Sequence, residues 1–177
     1  MTNTNPERRT RKGQPRMVRA LAEAQKIAFG PLAFQAVRAM LKNGMLEYIE
    51  KNAGSKRENL VSEYGRYVAD VLVESGVSAG VLDETDDGVV TLSDVGYCLL
   101  NDRMTRINFE FVADVCYLGA DKLWESLQNG KPEGLKVFGD WPTIYEGLSR
   151  LPEPARTSWF AFDHLYSDAF SRWKVFV

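Results

Sequence analysis

Residues Glu58 to Asp102 constrain this chain more than any other stretch. The segment opens with a short helical pattern from Glu58 to Tyr64, then a glycine turn at Gly65. Tyr67, Val68, Val71, Leu72 and Gly76 outline a second helix by their spacing. Val81-Leu82 and Val89 to Leu92 read as two strands around Asp86-Asp87-Gly88, a dipeptide-plus-glycine signal for a tight hairpin. Ser93 then stands as the N-cap of a helix containing Val95, Tyr97, Cys98 and Leu99. Helix, helix, strand, turn, strand, helix is the order of a winged helix, a module often used on DNA. The charge opposes that use. Glu58, Glu63, Asp70, Glu74, Asp83, Glu84, Asp86, Asp87, Asp94 and Asp102 face a single base within the segment, Arg66. A phosphate backbone would be repelled by such a surface.

The remaining composition fits a folded, water-exposed protein. The chain has 177 residues, enough for one domain or one domain with an appendage, and 45% of them are hydrophobic. Net charge is -2, but its distribution is uneven: Arg8, Arg9, Arg11, Lys12, Arg16, Arg19 and Lys26 precede the acidic middle, against Glu7 and Glu23. Cys98 and Cys116 are the only cysteines and form no CxxC pair, so we expect buried free thiols in a reducing cytoplasm. No apolar run approaches a membrane span, and no apolar stretch follows the N-terminal charges as in a signal peptide. The expectation is a cytoplasmic protein with no membrane partner.

Residues 1 to about 13 are polar and aperiodic, and are expected to be disordered. From Pro15 a helix is expected with Met17, Leu21, Ala24 and Ala28 on one face, stopped at Gly30-Pro31. Pro31 is expected to open the next helix, which carries Phe34, Val37, Met40 and Leu41 and stops at Asn43-Gly44. Met45 to Lys51 reads as a short amphipathic helix. Asn108 to Gln128 reads as one long helix broken at Asn129-Gly130-Lys131-Pro132. Asp140-Trp141-Pro142-Thr143 starts a further short helix, and a last helix is expected from Ala155 to about Phe170.

Two of these blocks carry a family resemblance. GVLDETDDGVVTLSDVGYCLL resembles a wing-then-helix segment, and NFEFVADVCYLGADKLWESLQNGKPEGLKVFGDWPTIYEGL resembles a long helix, a Gly-Pro break and an aromatic short helix. Both are similar to the N-terminal part of the S-adenosylmethionine-dependent O-methyltransferases, over about residues 16 to 170. The resemblance implies a mainly α fold: a helical bundle with a winged-helix core and one small β-hairpin. It divides the chain into a basic arm at 1–14, a dimerisation domain at 15–170, and a tail at 171–177 where a catalytic domain would begin. It implies a homodimer whose N-terminal helices interlock, and a small aromatic acceptor substrate. The family's glycine-rich cofactor loop has no counterpart: Gly134 to Gly139 holds two glycines, with no apolar strand before them and no acidic ribose ligand after. The chain is therefore expected to bind no cofactor alone and to be non-catalytic alone, with S-adenosylmethionine implied for the full-length family.

Candidate site residues follow in part from that resemblance. Trp159, Phe162, Asp163 and Tyr166 fall on the last helix, in a region that in the family faces the acceptor cleft; with Tyr117 they are the candidate substrate-binding set. Aromatic walls there would hold a flat acceptor, although helical spacing alone also fits ordinary packing. Phe109, Phe111 and Trp124 admit a pocket, a dimer seam or plain core, with core expected for Phe109 and Trp124. His164, the only histidine, has no nucleophile or second histidine beside it in sequence and is expected to be a helix-surface or packed residue. Asp83, Glu84, Asp86 and Asp87 lack the glycine and terminal glutamate of an EF-hand loop, so a solvated hairpin tip is expected and no metal site. Two further readings stay open: a winged-helix transcription regulator, and a non-catalytic ligand- or protein-binding module. No nucleic-acid partner is expected on the charge argument.

Overall fold

A computed structural model describes residues 16–173, with side chains to residue 167. The basic arm expected to be disordered, and the tail from residue 174, lie outside the described residues. The chain divides into two compact units, Met1–Gly96 and Tyr97–Val177. Helices dominate both, and the described sheet is three-stranded and antiparallel.

The first unit starts with α1, Arg16–Asn43, one helix where two were expected. Pro31 lies inside it. A proline there removes the N–H that would bond the Ile27 carbonyl; in a helix interior it costs about 3 kcal/mol, and Gly30 about 1 more. Ile27 is 81% exposed, so water can satisfy its carbonyl and the helix runs through the break. The sequence rule for a stop assumes a helix that must close its bonds internally, and this one need not. Asn43 ends the helix by accepting from the Met45 amide through Oδ1 at 3.0 Å, while Gly44, at φ 79°, turns the chain into α2, Met45–Lys51.

Helix α3, Arg57–Tyr64, and α4, Arg66–Ser78, meet at Gly65, whose φ of 82° favours glycine. Strand β2, Leu82–Glu84, pairs with β3, Val89–Leu92, in the register Leu82 to Leu92 and Glu84 to Val90. The expected hairpin is present. A third strand, β1 at Ser55–Lys56, joins the other side of β3. Its two residues carried no strand signal; Gly54, at φ 100°, lets the backbone approach Val90 closely enough to pair. Met40, Met45, Leu46, Ile49, Leu60, Ala69, Val73 and Val90 are fully buried in this unit. Gly76 admits Leu82 where a Cβ would stand 2.7 Å from its Cδ1. Ser93 caps α5, Asp94–Asn101, as expected: its Oγ accepts from the Gly96 amide at 3.1 Å and donates to the Gly80 carbonyl at 2.7 Å.

The second unit holds α6, Arg103–Phe111, α7, Leu123–Asn129, and α8, Glu153–Trp173. The single long helix expected from Asn108 is not found. Helical chain starts earlier, because Asp102 accepts from the Thr105 amide at 2.7 Å and caps α6. It then widens to a π-helical stretch at Val112–Cys116 and tightens to 3-10 geometry at Tyr117–Lys122. The tightening coincides with a backbone crossing: a Cβ on Gly119 would overlap the Gly134 carbonyl oxygen, and one on Gly134 would overlap that of Gly119. Tertiary contact thus overrides the uniform 3.6-residue pattern. The core of this unit is Val115, Leu151 and Ala155, with Phe111, Cys116, Phe138, Trp141, Ile144, Leu148 and Trp159 packed around it.

Two further expectations are corrected. Cys98 is exposed and Cys116 half-buried, so neither thiol is fully enclosed. Trp124 is 66% exposed rather than core, because the shift to 3-10 geometry before α7 changes which face of the run turns inward.

Candidate functional site

In the first unit the notable surface is the N-terminal half of α1. Every side chain from Arg16 to Phe29 is exposed, including Met17, Val18, Leu21, Ile27 and Phe29. Met17, Leu21, Ala24 and Ala28 share a face by the helical period, and Arg19 and Lys26 fall on the opposite one. Only past Pro31 does α1 enter the core, through Val37 and Met40. A polar-backed helix with an uncovered apolar stripe is a surface built to be covered.

The acidic hairpin of the same unit is organised by a residue that the sequence reading passed over. Arg57, at the start of α3, donates from Nε and Nη2 to the two carboxylate oxygens of Glu84, both at 2.8 Å. Its Nη1 donates to Asp70 at 3.3 Å and lies 3.9 Å from Glu74. Its amide donates to the Gly88 carbonyl at 3.0 Å. The bidentate contact holds the Glu84 carboxyl below the usual carboxylate range and raises the guanidinium further. At the hairpin tip Thr85 donates to Asp87 at 2.6 Å, which lowers that carboxyl as well. Asp70 and Glu74 at i and i+4 on α4, with an arginine just before Glu58, were the available signal. Among the described residues no group of three or more His, Cys, Asp or Glu side chains is placed to hold a metal ion.

In the second unit the candidate substrate-binding residues fall as follows. Trp159, Phe162, Asp163 and Tyr166 share one face of α8 by their i, i+3, i+4, i+7 spacing. Phe111, at the end of α6, stacks on Phe162 with ring centroids 3.9 Å apart and lies 5.8 Å from Trp159. Tyr145 meets Trp159 edge-on at 5.7 Å, and Phe162 lies 4.7 Å from Tyr166. Tyr166 donates to Asn108 Oδ1 at 3.0 Å. Asp163 is half-buried beside Phe162. Tyr117 is half-buried at the start of the 3-10 stretch. His164 is exposed, its ring 6.3 Å from Phe160.

Below this ring cluster sits one polar contact without a sequence signal. Ser158, 6% exposed, donates to Asp114 Oδ2 at 2.8 Å across the π-helical stretch. Nearby burial raises the Cys116 thiol above its usual range, which disfavours the thiolate. The ring cluster is apolar, with the Asp163 carboxyl at its side and a polar rim at Tyr166 and Asn108, and is suited to packing against a flat apolar group. An open groove of about 590 Å³ elsewhere in this unit is lined by Lys131, Glu133, Lys136, Asp140 and Trp141, and not by α8.

Comparison with known proteins bears on the first unit and on the fold. Residues 22–88 match the sequence profile of the Dimerisation2-like domain. No curated protein matches the chain. Among solved structures, the S-adenosylmethionine-dependent methyltransferase SibL in its apo form shares the fold at TM-score 0.71 and 21% identity. The match covers 84% of this chain and 45% of that one, so the chain spans under half of the methyltransferase's length. The domain match thus places a Dimerisation2-like domain at residues 22–88, and the likeness to the methyltransferase is one of fold. The exposed stripe of α1 and the matched domain overlap from residue 22.

Proposed function

We propose that this chain is the dimerisation and acceptor-lid region of an S-adenosylmethionine-dependent O-methyltransferase. The observation that carries the reading is the uncovered apolar stripe of α1, lying across the start of a Dimerisation2-like match. A second copy covers the stripe and makes a homodimer; a stable interface of this kind buries roughly 800 Å² on each partner.

Tyr117, Trp159, Phe162, Asp163 and Tyr166 then form one wall for a small, flat aromatic acceptor. The stacked rings of Phe111 and Phe162 support this by presenting a rigid apolar edge, with the Tyr166–Asn108 pair as its polar end. The acceptor hydroxyl would be held for attack on the methyl sulfonium of the cofactor, whose binding belongs to other residues of a complete enzyme. The described residues offer only short antiparallel strands, not the parallel strand-turn-helix that cradles such a nucleotide.

A DNA-binding role gains nothing from the geometry. The outward face of α4 carries Tyr67, Asp70, Val71 and Glu74, and Arg57 is already committed to carboxylates. Among the described residues no helix is long and apolar enough to cross a membrane. Sedimentation and calorimetry test the proposal together: the chain should be dimeric and give no heat with S-adenosylmethionine. A monomer would end the dimerisation reading, and micromolar cofactor binding would end the view that this region is not catalytic alone.

A further inference from the structure

The two halves of α1 are held by different things. Beyond the junction Val37 and Met40 anchor the helix in the core of the first unit. Before it, from Arg16 to Phe29, no side chain is buried, and the ion pair described there, Lys26 to Glu23 at 3.1 Å, is itself exposed. Isolated helices of roughly this length, about four turns, are marginal in water even when alanine-rich.

Gly30-Pro31 cuts this half off from the cooperativity of the other. Pro31 supplies no N–H to the Ile27 carbonyl. Gly30 is the more telling residue. A Cβ there would meet nothing within 4 Å, and its φ is not in the left-handed region. Neither space nor backbone conformation demands glycine, so its effect on α1 is to weaken the helix beside the proline.

We infer that the N-terminal half of α1 is a coupled folding-and-binding element. It is helical when a second copy of the chain covers its stripe, and Gly30-Pro31 is the junction at which it melts in the monomer without disturbing the core. The inference rests on the self-association proposed above. The occupant is a second copy because the Dimerisation2-like match begins within this half and continues through most of the first unit's core, to residue 88. Ordering the half on contact makes association weaker than its apolar area would otherwise give, and sensitive to concentration.

Hydrogen exchange of the full chain, read at low and high concentration beside sedimentation, tests this. Amides of residues 17–29 should exchange ~100-fold faster in the monomer than in the dimer, with residues 37–49 unchanged. Leu21→Glu keeps helix propensity but charges the stripe. It should remain monomeric, with 17–29 exchanging fast at every concentration. Gly30→Ala combined with Pro31→Ala should slow that exchange in the Leu21→Glu monomer and, on the native stripe, tighten the dimer by ~10-fold or more. Protection of 17–29 in the Leu21→Glu monomer would overturn the inference and leave self-association standing. A native chain that is monomeric at all concentrations would instead overturn self-association, and the inference with it.

Discussion

The two units solve the problem of burial in opposite ways. The first closes a compact core of fully enclosed methionine, leucine, isoleucine and valine side chains, then leaves half of one helix outside it. The second closes less: the small cluster of Val115, Leu151 and Ala155 is surrounded by half-exposed rings, and Leu118, Leu123, Trp124 and Leu127 stand more than 60% exposed. One unit is a finished core with an added arm; the other is held by ring contacts, glycine crossings and hydrogen bonds such as that of Ser158 to Asp114. Core completeness and surface function are thus separable in this molecule, and substitutions should tell the units apart.

The largest effect should come from the first unit. Leu46 and Ile49 are fully buried, so truncating either to alanine should cost about 2–5 kcal/mol in denaturant unfolding. If the loss is small, the first unit is less tightly closed than its burial indicates. Next come the glycines of the second unit. A Cβ on Gly147 would overlap the Trp141 indole, over which Arg150 sits at 4.8 Å, and one on Gly119 would overlap the Gly134 carbonyl. Gly147→Ala and Gly119→Ala should each cost about 1–3 kcal/mol, read as a lowered midpoint. A neutral result at both would show that backbone proximity is not what holds this unit.

The charge clamp should rank third. Glu84→Gln removes the bidentate contact with Arg57 and should cost about 1–2 kcal/mol at neutral pH. Because the folded Glu84 carboxyl lies below its ordinary value, its contribution is complete above the unfolded carboxylate range, roughly pH 4.3, and is lost as pH falls through the folded value. Acid titration of stability should therefore be shallower in Glu84→Gln than in the native chain. The smallest effect should be Trp124→Ala, within about 0.5 kcal/mol in the isolated chain, since its ring is mostly exposed. A large loss there would mean the second unit is more closed than it looks.

Local signals carried most of the fold. The Asp86-Asp87-Gly88 turn, the Ser93 cap and the glycine at 65 each encode geometry within a few residues, and each is found in place. What failed depended on distant partners or on their absence. Gly30-Pro31 looked like a stop because the sequence does not reveal that the helix around it is bare to water. The π and 3-10 stretches of the second unit answer to the Gly119–Gly134 crossing and to Ser158 bonding Asp114, separations no periodicity shows. In the aromatic cluster the α8 spacing was legible, whereas the stacking of Phe111 and the edge contact of Tyr145 were not. Arg57 escaped because it stands one residue before the acidic stretch that it organises.

On the function proposed above, the bare stripe of α1 is a self-association surface. Sedimentation equilibrium of the native chain beside Leu21→Glu tests it most directly. The native chain should sediment at twice the chain mass and the variant at the chain mass. Two identical profiles, whether both monomeric or both dimeric, would contradict the claim.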